Sequence, residues 1–367
     1  MALYFANAPD SLVPDALAGF ARAHRGLVAH DAEHGFLRAV RPSPTRRVGL
    51  VSGGGSGHEP LHIGFVGAGM LDAACPGLVF ASPHNRQVFE ASCAVAREDG
   101  VLHIVKNYTG DKINFGIAAE RLAHRGIRCA RVVVDDDLAS ESESVAVGRR
   151  GTGATVLIEK ILGAAADRGR GLESLAALGA SLAERCRSIA VASEAHTVPT
   201  TGLPAFELAP GLLEFGVGLH GERADRSVRQ EPLRALVARM TEAVLKSAGL
   251  GRGSWLIALV NGLGSTTRLE LYAVLHELAT ALDRRGVVLA RSLVGDFATS
   301  LDMRGFSLSL LAADTEVVEL FDAPAATPAW PGQGDRRQEL PRWNTTGPTP
   351  EPGFGASRSL SPPLSPN

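Results

Sequence analysis

Val48–His62 reads VGLVSGGGSGHEPLH, and this stretch decides how the chain is understood. A β-branched and apolar run stops in three glycines, a serine and a fourth glycine, followed by His58 and Glu59. Only glycine lets a backbone turn through positive φ and approach a small ligand closely, so Gly53, Gly54, Gly55 and Gly57 read as a loop that exposes N–H groups. The strand before the loop places His58 at the carboxyl end of a sheet, where open α/β folds bind their ligands. The same spacing also suits a tight β-to-α turn with a surface histidine.

Outward from this stretch, short β-branched runs alternate with longer amphipathic ones, the signature of βα units and a largely parallel sheet. Strands are expected at 77–82, 101–108 and 127–134, with helices at 87–98 and 113–125, the latter stopped by Gly126. A helix runs through about Asp167, and Leu172, Leu175, Leu178, Leu182 and Cys186 form a core-facing stripe. The composition restarts near Ser188. Strands at 189–192, 255–260, 287–289 and 307–311 enclose two helical stripes, one through Leu233, Leu236, Val237, Met240 and Val244, the other through Leu271, Leu275, Leu278 and Leu282. The expected fold class is α/β: two α/β domains, 8–187 and 188–330, each a mostly parallel or mixed sheet flanked by helices. Residues 1–46, interrupted by Pro9, Pro14, Pro42 and Pro44, read as a lead-in. Residues 331–367 hold eight prolines and few aliphatic side chains, and read as a disordered tail.

Composition removes several function classes. A formal charge of −2 and 5% aromatic content give no electrostatic or stacking case for nucleic acid, nor for an anionic membrane. No window reaches the apolar length of about 18 residues that a membrane span needs, and the N-terminus has no basic segment ahead of an apolar one. Cys75, Cys93, Cys129 and Cys186 lack CxxC spacing and read as reduced, mostly buried thiols, which fits a cytoplasmic protein.

Asp135, Asp136 and Asp137 invite a metal reading, but with no second carboxylate or histidine cluster nearby they suit a solvated loop better. GRRGTGA (148–154) lacks the GK[ST] ending of a P-loop. Three places combine glycine with ionisable residues at the end of an apolar run: Gly53–Pro60, Lys106–Asp111 (KNYTGD) and Gly216–Glu222 (GVGLHGE). The first two could share a pocket and the third, from the second half, could close it.

These motifs, with NF at 114–115, NGLGSTTRLELY at 261–272 and TSLDMRGFSLSLL at 299–311, resemble the substrate-binding (K) subunit of the dihydroxyacetone kinases, over about residues 8–330. The resemblance implies a glycerone-kinase-type phosphotransferase. It implies that His220 adds through a ring nitrogen to the ketone carbon and holds the substrate as a covalent hemiaminal, and that His58 and Asp111 contact the hydroxyl receiving the phosphoryl group. Gly55, Ser56 and Gly57 would line the substrate, Ser82 would lie beside it, and Lys106 would contribute a donor. It further implies a homodimer and no metal ligand or cofactor in this chain. Mg-ATP or Mg-ADP is expected on a separate L-type subunit in trans, recharged by a phosphotransferase-system protein; other members of the family carry an ATP-binding domain fused behind this one, and a single-chain ATP kinase is the remaining alternative.

The chemistry suits those residue types independently. A triose offers little apolar area, so covalent capture of the ketone supplies both affinity and discrimination from glycerol, which has no carbonyl. Two departures border the expected pocket. The family commonly has HGEPG where this chain has His220, Gly221, Glu222, Arg223 and Ala224, and Ser82–Pro83 is followed by His84, Asn85 and Arg86. These leave open another ketose such as erythrulose, or a ketose-binding sensor without turnover.

Overall fold

The computed structural model describes residues 4–140, 148–224 and 227–331; apart from Pro331, the tail read as disordered lies outside the described residues. The first sheet contains β1 (Val28–Asp31), β2 (Phe36–Ala39), β3 (Gly49–Ser56), β4 (Ala73–Val79), β5 (Val101–Lys106) and β6 (Cys129–Val134), in the order β1-β2-β4-β3-β5-β6. The second contains β7 (Cys186–Glu194), β8 (Leu212–Phe215), β9 (Ser227–Arg229), β10 (Trp255–Gly262), β11 (Val288–Gly295) and β12 (Arg304–Ala313), in the order β11-β10-β12-β7-β8-β9. The helices are α1 (Leu12–Ala23), α2 (Asn85–Val95), α3 (Thr109–His124), α4 (Ala154–Asp167), α5 (Leu172–Arg185), α6 (Leu233–Ser247), α7 (Arg268–Arg285) and α8 (Thr315–Asp322).

Both sheets are mixed and flanked by helices, as expected, but they differ. In the first, β4, β3, β5 and β6 pair in parallel, and a β1–β2 hairpin adds an antiparallel margin. In the second, among the described residues, only β10 and β11 pair in parallel, joined by the β10–α7–β11 crossover between adjacent strands. The largely parallel reading therefore holds for the first half alone. The lead-in is also structured: it supplies α1 and the hairpin, whose Phe36 and Leu37 are buried. Four-residue strands among prolines carry too little period to be seen. The strand expected at 77–82 begins earlier, at Ala73, because its buried half is the small-residue run Ala73, Ala74, Cys75.

α4 is buried from Ala154 to Ala166 and packs against β5 of the first sheet and β7 and β12 of the second. A helix apolar on every side is a core helix, so the two acid–base residues it carries, Glu159 and Lys160, need internal partners. Its start is fixed by Asp136. That carboxylate is fully buried and accepts from Thr152 N and Oγ1 (both 2.7 Å), Ala154 N (3.0 Å) and Ser188 Oγ. The aspartate run is thus no solvated loop: Asp136 ties β6, α4 and β7 together, and Asp137 pairs with Arg150 at 2.6 Å. Among the described residues no group of three or more His, Cys, Asp or Glu side chains is placed to hold a metal ion, and no helix is long and apolar enough to cross a membrane.

Candidate active site between the two sheets

The glycine run is strand rather than loop. Gly53, Gly54 and Gly55 lie inside buried β3, and of the four only Gly57 has positive φ, +97°. The missing side chains make room for protein, not for an anion. A Cβ on Gly55 would sit 2.7 Å from Phe80 Cα, and one on Gly54 would overlap Lys106 Nζ and lie 3.1 Å from His62 Nε2. β3 then delivers Gly57–Glu59 to the second sheet. Leu301 N donates to Gly57 O (2.8 Å), Thr299 N to His58 O (3.2 Å) and Thr299 Oγ1 to Glu59 O (2.9 Å).

This strap brings two histidines from opposite halves together, with the His58 and His220 ring centroids 4.9 Å apart. His58 is fully buried, and its Nδ1 lies 2.8 Å from the carbonyl of Thr299, so Nδ1 carries the hydrogen. Its Nε2 keeps a lone pair and has no hydrogen-bond partner among the described residues. Burial, then His220 and Lys106, push this imidazole well below its usual range, so it is neutral. His220 is held in the same sense. Its Nδ1 lies 3.0 Å from Glu222 Oε1, and its backbone N donates to Glu222 Oε2 at 2.9 Å, which leaves the Nε2 lone pair uncommitted to Glu222.

In the sequence Glu222 carries no role of its own within GVGLHGE or beside the Arg223–Ala224 departure, and the structure makes it the partner of His220. Burial alone would raise its carboxyl, but the His220 hydrogen bond and electrostatic attraction to the His220 and Arg150 side chains bring it down to about 2. Arg150 Nη1 lies 3.7 Å from Glu222 Oε2 and its guanidinium is anchored by Asp137, so GRRGTGA serves the site through a cation rather than a phosphate loop. The legible signal was a carboxylate two residues after a candidate nucleophilic histidine. Aromatic rings enclose the pair: Phe80 stacks on His58 at 5.0 Å, and Tyr108 meets His220 edge-on at 4.7 Å. Phe80 holds a left-handed φ of +56°, a strained conformation of the kind that clusters at ligand sites.

Lys106 and Asp111 approach from the first sheet. Lys106 Nζ, at the end of β5, lies 4.0 Å from Asp111 Oδ2 in the first turn of α3. Both side chains are buried, and Asp111 Oδ1 has no hydrogen-bond partner among the described residues. Burial lowers Lys106, against the opposing charges of Asp111 and Glu159. Ser82 lies beside this helix start, its Oγ 2.6 Å from where a Cβ on Gly110 would be. Ser56, by contrast, spends its hydroxyl on Gly77 O at 2.7 Å.

The two departures have structural roles. Arg223 donates to Glu214, a fully buried carboxylate, at 3.0 and 3.1 Å, and Ala224 N donates to the same group at 3.1 Å. These bonds hold the turn after His220 and neutralise the added cation. His84 caps α2 by accepting from Arg86 N, and Asn85 is bonded to Asn114. A separate cavity of about 320 Å³, lined by Leu213, Leu236, Val274, Phe306 and the Arg304–Glu270 ion pair, shares none of the residues above.

Residues 18–329 match the Dak1 domain. The chain is 42% identical over 350 residues to the PEP-dependent dihydroxyacetone kinase, dihydroxyacetone-binding subunit DhaK, of Escherichia coli, covering 88% of this chain and 97% of that one. It is similar to the crystal structure of the dihydroxyacetone kinase of C. freundii, with TM-score 0.83, 32% identity and coverage of 96% of this chain and 64% of that chain. It is also similar to the dihydroxyacetone kinase operon co-activator DhaQ, with TM-score 0.82, 30% identity and coverage of 87% of this chain and 98% of that chain. With the Dak1 match spanning both sheets and the loops that carry His58, Asp111 and His220, the chain belongs to the Dak1 domain family.

Proposed function

We propose that this chain is the dihydroxyacetone-binding subunit of a dihydroxyacetone kinase, holding its ketose on His220 as a hemiaminal while a primary hydroxyl is phosphorylated. One observation carries the reading: His58 and His220 stand 4.9 Å apart, each with Nδ1 committed to an acceptor and Nε2 left for chemistry. His220 Nε2 attacks the ketone carbon, and the C=O π pair moves to oxygen. Glu222 keeps its hydrogen bond to Nδ1–H and offsets the charge that develops on the ring, while a proton from solvent goes to the ketone oxygen, so the hemiaminal carries an imidazolium paired with the Glu222 carboxylate. His58 Nε2 takes the proton from the primary hydroxyl as its oxygen attacks phosphorus, and Asp111 with Lys106 orients that hydroxyl. The Gly55–Gly57 backbone and Ser82 border the substrate.

The phosphoryl donor is proposed to sit on an L-type subunit in trans, as a Mg-bound nucleotide recharged by a phosphotransferase system. Support comes from the E. coli relative, which is named as the binding subunit of a PEP-dependent kinase and is covered over 97% of its length. The same reading makes the chain homodimeric and cytoplasmic, and four free cysteines accord with a reducing compartment. A second reading, a ketose-responsive co-activator, has a specific observation behind it in the similarity to DhaQ. Reconstitution separates the two. With dihydroxyacetone, an L-type subunit and its phosphoryl source, a kinase subunit yields ketose phosphate that vanishes in His220→Gln. Ketose binding without product supports the co-activator. Product with erythrulose but not dihydroxyacetone moves the substrate assignment to the larger ketose.

A further inference from the structure

Behind Lys106 lies a buried side-chain chain that the proposed reaction does not use directly. Lys106 Nζ is 2.8 Å from His62 Nε2, and His62 Nδ1 is 2.6 Å from Glu159 Oε1. Ser52 Oγ, 2.9 Å from His62 Nδ1, donates to Ile104 O at 2.8 Å. All four side chains are buried, and they come from β5, the turn after β3, α4 and β3. Gly54 completes the arrangement, since any side chain there would occupy the place of Lys106 Nζ. The charged or titratable groups facing this chain from the packed elements are Asp111 and His58, on the substrate side.

Hydrogen-bond bookkeeping fixes the state of His62. A lysine ammonium only donates, so His62 Nε2 must accept; Nδ1 then carries the ring hydrogen, and Glu159 Oε1 receives it whether or not that carboxyl is ionised. Burial pushes Glu159 up to about 8, opposed by Ser52 and Lys106, which agrees with a carboxyl kept in a dry site for its hydrogen bond. A flexible four-carbon amine buried against a single carboxylate at 4.0 Å has no fixed rotamer of its own. The His62–Glu159 pair supplies it.

We propose that His62 and Glu159 are positioning residues for phosphoryl transfer: acting through Lys106, they hold its Nζ against Asp111 and the reacting hydroxyl. This inference rests on the kinase reading above. The pair touches Lys106 in the first half and not His220, so its loss disturbs transfer and spares ketose capture. A misplaced catalytic-site group costs about tenfold or more in rate.

Three chains are compared with the L-type partner present: wild type, His62→Gln, and the double variant His62→Leu/Glu159→Leu, which removes both polar partners and so leaves neither orphaned. In the double variant kcat is expected to fall about tenfold or more while KM and the ketose adduct on His220 stay within about threefold of wild type. His62→Gln keeps an acceptor for Lys106 and a donor for Glu159, and is expected to restore kcat to within about threefold. A double variant with wild-type kcat, or a folded His62→Gln that falls as far as the double variant, overturns the proposal. A double variant that does not fold leaves the decision to a measurement on wild-type protein. In ¹⁵N-histidine NMR the Nδ1–H tautomer of His62 is expected and the Nε2–H tautomer refutes the lock. Wild-type protein that makes no ketose phosphate refutes the kinase reading, and the tautomer then still decides whether the lock exists.

Discussion

Replacing Glu222 by alanine removes the acceptor that holds His220 in the Nδ1–H tautomer the proposed hemiaminal needs. The bond is 3.0 Å long and the glutamate is held ionised, so it belongs to the charge-assisted class worth about 1.5–3 kcal/mol. The Glu222 side chain is 35% exposed, and screening places the bond at the low end, about 1.5 kcal/mol. That corresponds to about tenfold weaker capture of the ketose. Arg150 keeps Asp137 as partner, so the change leaves no buried charge alone. The assay is the fraction of chain carrying one added ketose mass in native mass spectrometry, titrated with dihydroxyacetone. Glu222→Gln keeps an oxygen acceptor and should lose less, within about threefold of wild type. Wild-type capture by Glu222→Ala, or a greater loss for the glutamine than for the alanine, would refute the tautomer argument.

Asp136→Ala strands the buried donors of Thr152, Ala154 and Ser188, and should cost about 3–5 kcal/mol in urea unfolding, whereas an unchanged midpoint would remove Asp136 as the node joining β6, α4 and β7. Gly57→Ala forces a left-handed alanine at φ +97° against Phe80 Cε1 at 2.8 Å, and should lower stability by about 1–3 kcal/mol; a neutral effect would show that the strap can relax. His103 is buried beside Ser92, and burial lowers it to about 3 from the usual 6.5. An imidazole depressed in the fold is protonated first in the unfolded chain, so its stabilisation is whole above pH 6.5 and drains away as the pH falls toward 3. Unfolding free energy should therefore decline between pH 6.5 and 5 by up to about 1.4 kcal/mol per pH unit per such histidine, with His58 and His62 contributing in the same direction. A flat profile there would contradict neutral burial.

Where the sequence spoke clearly, it spoke through period and punctuation. α7 shows both: its stripe Leu271, Leu275, Leu278 and Leu282 lies on one face, and it ends in Arg284 and Arg285 with Gly286 next, at φ +67°; the structure adds a Thr267–Glu270 capping box at its start. The β1–β2 hairpin and Ala73–Cys75 were missed because short or small-residue strands carry almost no pattern. The antiparallel order of the second sheet lies in crossovers, which no local pattern encodes. The site divides in the same way. His58, Asp111 and His220 sit in glycine-bearing motifs whose family resemblance gives them their roles, and His220's partner Glu222 is two residues away, but the Thr299 carbonyl that orients His58 lies 241 residues from it and no local pattern points there. The glycines read as a loop and are strand: Gly53, Gly54 and Gly55 lie in β3, and Gly54 and Gly55 leave clearance for Lys106 and Phe80.

The central claim is a covalent bond between His220 and a ketone carbon, and ¹³C NMR of the chain with dihydroxyacetone labelled at its ketone carbon tests it most directly. The account expects a protein-bound tetrahedral carbon signal, distinct from free ketone and its hydrate and coupled to nitrogen in ¹⁵N-histidine protein, that disappears in His220→Gln. A bound ligand that retains its ketone signal, or a tetrahedral signal that survives the substitution, would contradict it.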